Sequence, residues 1–133
     1  MRYTSVDTKA ARVLALVGLL FLVGCSDVKL TPSELSPAST LQTVILESEA
    51  IAQPTSGDQR TLSPGSAWVS MGRVREGVVM KPVDTVLTVK GIHVREAYIV
   101  VRNDRWVGFW LPNEEAFSPV ADPVPVKLNP KQE

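Results

Sequence analysis

"EAYIVVRNDRWVGFWLP", residues 96–112, decides the fold. Two apolar runs, 98–101 and 106–111, flank Arg102-Asn103-Asp104-Arg105. Asn and Asp tolerate the left-handed backbone that a tight hairpin turn needs, so the stretch predicts an antiparallel hairpin with Asn103 and Asp104 at its tip. In an unbroken ladder Val101 then faces Trp106, Val100 faces Val107, Ile99 faces Gly108 and Tyr98 faces Phe109. Alternation of side chains sets Tyr98, Val100, Val107, Phe109 and Leu111 on one face and Ile99, Val101, Trp106 and Trp110 on the other. Both faces are apolar. Such a hairpin either lies between two layers of a domain or keeps one face open for a partner. On the second reading Tyr98, Trp106, Phe109 and Trp110, with Arg102 and Arg105 at the tip, form a candidate surface for a protein or a glycan. Tryptophan is enriched at interface hot spots, and its flat ring stacks on sugars. Arg102 and Arg105 oppose each other, which is mildly unfavourable and makes a basic tip suited to an acidic partner.

Outward from the hairpin the same pattern continues. "AWVSMGRV", "GVVMKPV" and "DTVLTVK" are short runs rich in Val, Thr, Leu and Trp, punctuated by Gly72, Gly77, Pro82 and Gly91, and they read as strands. Pro82 belongs at an edge or a bend, because it cannot donate to a ladder. "PNEE", residues 112–115, reads as the start of one helical turn with Phe117 packing back. "PVPVKL" reads as an extended edge segment, because alternate prolines block one side of pairing. Residues 41–52 carry two signals. Ser39 with Gln42 suits a helix cap, whereas Thr43-Val44-Ile45 prefer a strand. The expected fold is mostly β: a small barrel or sandwich of five to six short strands at 41–128, with an SH3-like or OB-like barrel as the expected topology. The last residues, 129–133, read as a frayed tail.

Bulk properties narrow the function. The chain has 133 residues, the size of a single domain, and is 44% hydrophobic and 21% charged, which is too apolar for a disordered chain. Lys and Arg balance Asp and Glu at 14 each, so no broad basic footprint for nucleic acid exists. One cysteine excludes an internal disulfide framework, and one histidine, His93, leaves little material for a metal site or a Ser-His-Asp triad. His93 has Arg95 and Glu96 beside it, a cluster common on loops. Asp84, Glu114 and Glu115 are the carboxylates that a two-carboxylate reaction would draw on. Neither set has a nucleophile or orienting group fixed by spacing, and no cofactor-binding motif accompanies them. The chain reads as non-enzymatic, without metal or cofactor.

The N-terminal segment supplies an address. Arg2, Lys9 and Arg12 precede "VLALVGLLFLV", residues 13–23. Eleven uncharged residues are too few to span a bilayer, which takes about 20, and fit the apolar region of a signal peptide, about 7–15 residues long. The run ends in Leu22-Val23-Gly24-Cys25, which resembles the lipobox of bacterial lipoproteins. That resemblance implies a leader at 1–24, cleavage between Gly24 and Cys25, and diacylglycerol on the Cys25 sulfur. It also implies attachment to a membrane, with Ser26 permitting export to the outer membrane, facing the periplasm. Removing Arg2, Lys9, Arg12 and Asp7 with the leader leaves a net charge near −2. Residues 25–40, rich in Ser, Thr and Pro after the cysteine, read as a flexible tether of about 20 Å root-mean-square reach. Anchor, tether and small domain together suggest an envelope accessory that docks a periplasmic or outer-membrane protein. The alternative is a module that binds glycan such as peptidoglycan.

Overall fold

The computed structural model describes residues 28–131. Within them the chain is all β, and no helix is long and apolar enough to cross a membrane. In chain order the strands are β1 (Thr31–Pro32), β2 (Ser36–Pro37), β3 (Thr43–Leu46), β4 (Ala50–Ala52), β5 (Arg60–Leu62), β6 (Ala67–Val74) and β7 (Gly77–Pro82). They continue as β8 (Thr88–Lys90), β9 (Val94–Glu96), β10 (Tyr98–Arg102), β11 (Arg105–Leu111), β12 (Ala116–Pro125) and β13 (Leu128–Pro130). One large antiparallel sheet runs β1-β12-β11-β10-β7-β6-β3-β13, with β2 also on β6, and the β4–β5 and β8–β9 hairpins form two small sheets. The result is sandwich-like and does not close into a barrel. The barrel topology expected from sequence is therefore corrected, and so is the strand number, because short pairings such as Thr31-Pro32 carry no hydrophobic signature to be read.

The decisive hairpin is central, as its two apolar faces require. β10 lies between β11 and β7, and β11 lies between β10 and β12. Asn103 and Asp104 form the tip with φ of 51° and 60°, and Arg102 pairs Arg105 across it. The register matches the expected one at Arg102 with Arg105 and at Val101 with Trp106. A bulge then intervenes, so that Val100 pairs Gly108, Ile99 pairs Phe109 and Tyr98 pairs Trp110. A bulge adds one residue to one strand and inverts the alternation beyond it. Consequently Phe109 and Leu111 join Ile99 and Trp106 in the main core, while Trp110 joins Val100 on the opposite face with Tyr98 and Val107. The expected face assignments of Phe109, Leu111 and Trp110 are corrected accordingly.

The main core fills the space between the large sheet and the small hairpins: Trp68, Trp106, Phe109, Leu46, Ile99 and Leu111 with Val89 and Ala52 from the second layer. Trp106 meets Phe109 edge-on at 5.4 Å and donates its Nε1–H to the Gly108 carbonyl at 3.0 Å, which satisfies the one polar atom of a fully buried ring.

The second face is covered by chain that sequence assigned to the tether. Val28 is buried in the main core, β1 pairs β12, and Ser33 is buried where its carbonyl accepts the Trp110 Nε1–H at 2.9 Å. Leu35 packs on the second cluster before β2 pairs β6. Residues 28–38 are thus a strap that starts on one face, passes the β12 edge and crosses the other. Its Ser and Pro content resembles a linker, yet it supplies an apolar cover that the small domain needs. The tail is similarly tied. Asn129 pairs Ile45, and the Lys131 N–H donates to the Thr43 carbonyl at 3.0 Å. Residues 41–52 resolve toward strand, as β3 and β4. Residues 112–115 form a tight turn with Glu115 at φ 49° rather than a helical turn.

Candidate functional site

The turns at one end of the large sheet bring the chain's arginines together. β6 and β7 are joined through Arg75-Glu76, and β10 and β11 through Asn103-Asp104. Val78 pairs Arg73 on one side and Val101 on the other, so the two turns lie side by side. Between them is an open hollow of about 330 Å³ lined by Arg73, Arg75, Arg102 and Asn103 over Val74, Val78 and Val101. Arg105 stands across the tip from Arg102. All four arginines are exposed. They are four of the 14 Lys and Arg in the sequence, so a chain of neutral overall charge presents one concentrated basic end.

Acids near this end offset part of that charge, among them Glu34, two residues before the Ser36 that pairs Arg73. Glu76 accepts the Ser33 hydroxyl at 2.6 Å and the Arg75 guanidinium at 3.3 Å, and its side chain is 18% exposed. Asp104 is the other acid of the two turns. Glu76 thereby ties the β6–β7 turn to the strap, and its pairing with Ser33 turns it inward. Gly77, φ 157°, lets the turn approach β10: a Cβ there would stand 2.6 Å from the Val101 carbonyl oxygen.

The residues singled out from sequence separate into three groups. Arg102 and Arg105 are exposed at the basic end. Trp106 and Phe109 are fully buried and Trp110 is 5% exposed, so the hairpin offers no tryptophan face on which a sugar could stack. Tyr98 is half-buried, tilted against Trp110 at 6.0 Å, with the Lys81 ammonium 5.8 Å from its ring centre. The aromatic binding surface is corrected on this ground: two packed layers consume both faces. Gly24 and Cys25 lie outside the described residues.

The candidate acid–base residues do not converge. His93 is on the exposed tip between β8 and β9, where its carbonyl accepts the Gly91 N–H. Glu114 faces Arg95 at 3.7 Å in the β11–β12 turn. Among the described residues no three His, Cys, Asp or Glu side chains gather as a metal would require. Glu47 is a carboxylate with a shifted titration. Hydrogen bonds from Asn129 and Lys127, and the Lys127 charge, hold it below the usual glutamate range. It clips β3 to β13 at the surface.

Sequence reasoning missed Arg73 and Arg75. The signal was present in "GRVREG", a basic turn between two strands, but only the strand pairing sets it beside Arg102. Compared with known protein families, curated proteins and solved structures, the chain matches none.

Proposed function

We propose that the protein is a non-enzymatic bacterial envelope lipoprotein that docks an acidic segment of a periplasmic or outer-membrane protein at its arginine end. Cys25 carries the lipid, and the domain faces the periplasm from the outer membrane. The observation that carries the docking reading is the convergence of Arg73, Arg75 and Arg102 around one hollow between two adjacent turns, with Arg105 across the tip from Arg102. Guanidinium groups present planar paired donors that match carboxylates, and clustered charge accelerates encounter with an oppositely charged partner. Half-buried Val78 and Val101 add a small apolar contact beside the arginines. The hairpin tryptophans play no part in this interface, because they are closed inside the fold.

The test is crosslinking in living cells, followed by detergent purification and mass spectrometry, comparing wild type with Arg75→Glu/Arg102→Glu. Capture of one acidic envelope protein by wild type, reduced about tenfold in the variant, supports the reading; two lost charge pairs of about 0.5–1 kcal/mol each give that factor. An unchanged crosslinking pattern in a variant of unaltered Tm overturns it.

A further inference from the structure

The second layer of the sandwich carries apolar side chains on its outer side. Ala50, Ala52 and Val89 point into the core, so their strand neighbours point away from it. Ile51 is 45% exposed, Ile92 67% and Val94 62%. Leu30, on the strap just before β1, is 36% exposed. A continuous set of contacts joins these segments. The Lys29 N–H donates to Thr55 Oγ1 at 3.4 Å, and Gln53 holds the same loop closed through the Gly57 carbonyl at 2.8 Å. Gly57 sits so close to β8 that a Cβ on it would stand 2.6 Å from the Lys90 carbonyl oxygen, and Arg60 Nε donates to the Thr88 carbonyl at 2.7 Å. Ile92 follows two residues after Lys90, at the tip.

The chain's entry point lies in the same neighbourhood. Val28 is buried, and Cys25 is three residues before it. Three residues span at most about 10 Å, far less than the reach of the free tether that the sequence suggested. A lipid on Cys25 would therefore hold Lys29, four residues on, within about 14 Å of the membrane surface.

We infer that the outer side of the β4–β5 and β8–β9 hairpins is a membrane seat, with Ile92 and Val94 inserted at the boundary between headgroups and acyl chains. This rests on the lipoprotein reading of Cys25. Exposed apolar side chains at a hairpin tip gain from that boundary as they do in interfacial helices, and the exposed Lys90 and His93 beside them suit anionic headgroups. Asp58 is the one acid on the adjoining loop from Gln53 to Gln59. The seat also fixes orientation. A second attachment beside the first stops the domain from swinging about its lipid.

The test uses the full chain, expressed in bacteria, purified with its own lipid and reconstituted in vesicles of phosphatidylethanolamine and phosphatidylglycerol. An environment-sensitive fluorophore is coupled to Ile92→Cys, or to Arg75→Cys at the arginine end as the comparison, and nitroxide lipids quench it. Blue-shifted emission at position 92, quenched several-fold more than at position 75, is the expected result. Equal or absent quenching at position 92, in protein whose intact mass shows diacylglycerol on Cys25, overturns the seat and leaves the anchor standing. An intact mass with an unmodified Cys25 overturns the anchor, and the seat with it.

Discussion

Gly72 shows at the scale of one residue how the strap is admitted. Its φ is 144°, and a Cβ there would collide with the Ser36 carbonyl of β2. Gly72→Ala is expected to cost about 2–3 kcal/mol through backbone strain and displacement of β2, measured by urea denaturation. Trp110 shows the complementary case of a side chain that holds the strap. Its Nε1–H is the donor to the Ser33 carbonyl, and Ser33 in turn donates to Glu76. Trp110→Phe keeps the ring in place and removes the donor. The expected loss is about 1–2 kcal/mol, the cost of a buried carbonyl left without its partner, with a larger increase in amide exchange across residues 28–38 than elsewhere. Uniform exchange would show that the strap does not depend on this bond.

At the scale of an element, β13 is expected to respond to pH. Glu47 has a lowered pKa, from the Asn129 hydrogen bond first and Lys127 second. A carboxylate with a depressed folded value adds stability above its unfolded value and loses it as pH falls through the folded one. The clip on β13 should therefore weaken below about pH 4.3, the ordinary glutamate range, and hold above it. The Lys131 N–H, bonded to the Thr43 carbonyl at 3.0 Å, reports this by faster exchange at acid pH corrected for intrinsic rate. Glu47→Gln should flatten that dependence. The same scale explains how much of the hairpin was legible. Asn103-Asp104 announced its tip and the apolar runs announced its arms. The bulge at Val107 was invisible, because it arises where Gly108 must lie against Ser118 and Phe117 of β12, with no room for a Cβ.

For the whole molecule, the enclosure of every tryptophan is directly measurable. Trp68, Trp106 and Trp110 are all 5% exposed or less, so emission should be at short wavelength and acrylamide should quench it far less in the folded protein than in urea. Ready quenching of the native state would mean that one face of the hairpin is open after all. The two ends proposed to act, arginine turns and membrane seat, come from distinct elements of this enclosed body. Arg75→Glu/Arg102→Glu is accordingly expected to leave vesicle attachment unchanged.

The sequence by itself determined the local features: strand character through the 2-residue period of Val, Thr and Trp, the hairpin tip through residues that accept positive φ, and a lipobox-like stretch through its apolar run and Cys25. These are legible because each depends on neighbours in the chain. The tertiary structure alone decided the rest. Pairing across the sheet made a strap of residues that read as tether, turned Phe109 and Trp110 to opposite faces, buried the aromatics that looked available for a ligand, and set Arg73 and Arg75 beside Arg102. Each of these is a contact between residues far apart in sequence, fixed by which edge of which strand finds a partner and by how much apolar surface a small sheet has left to cover.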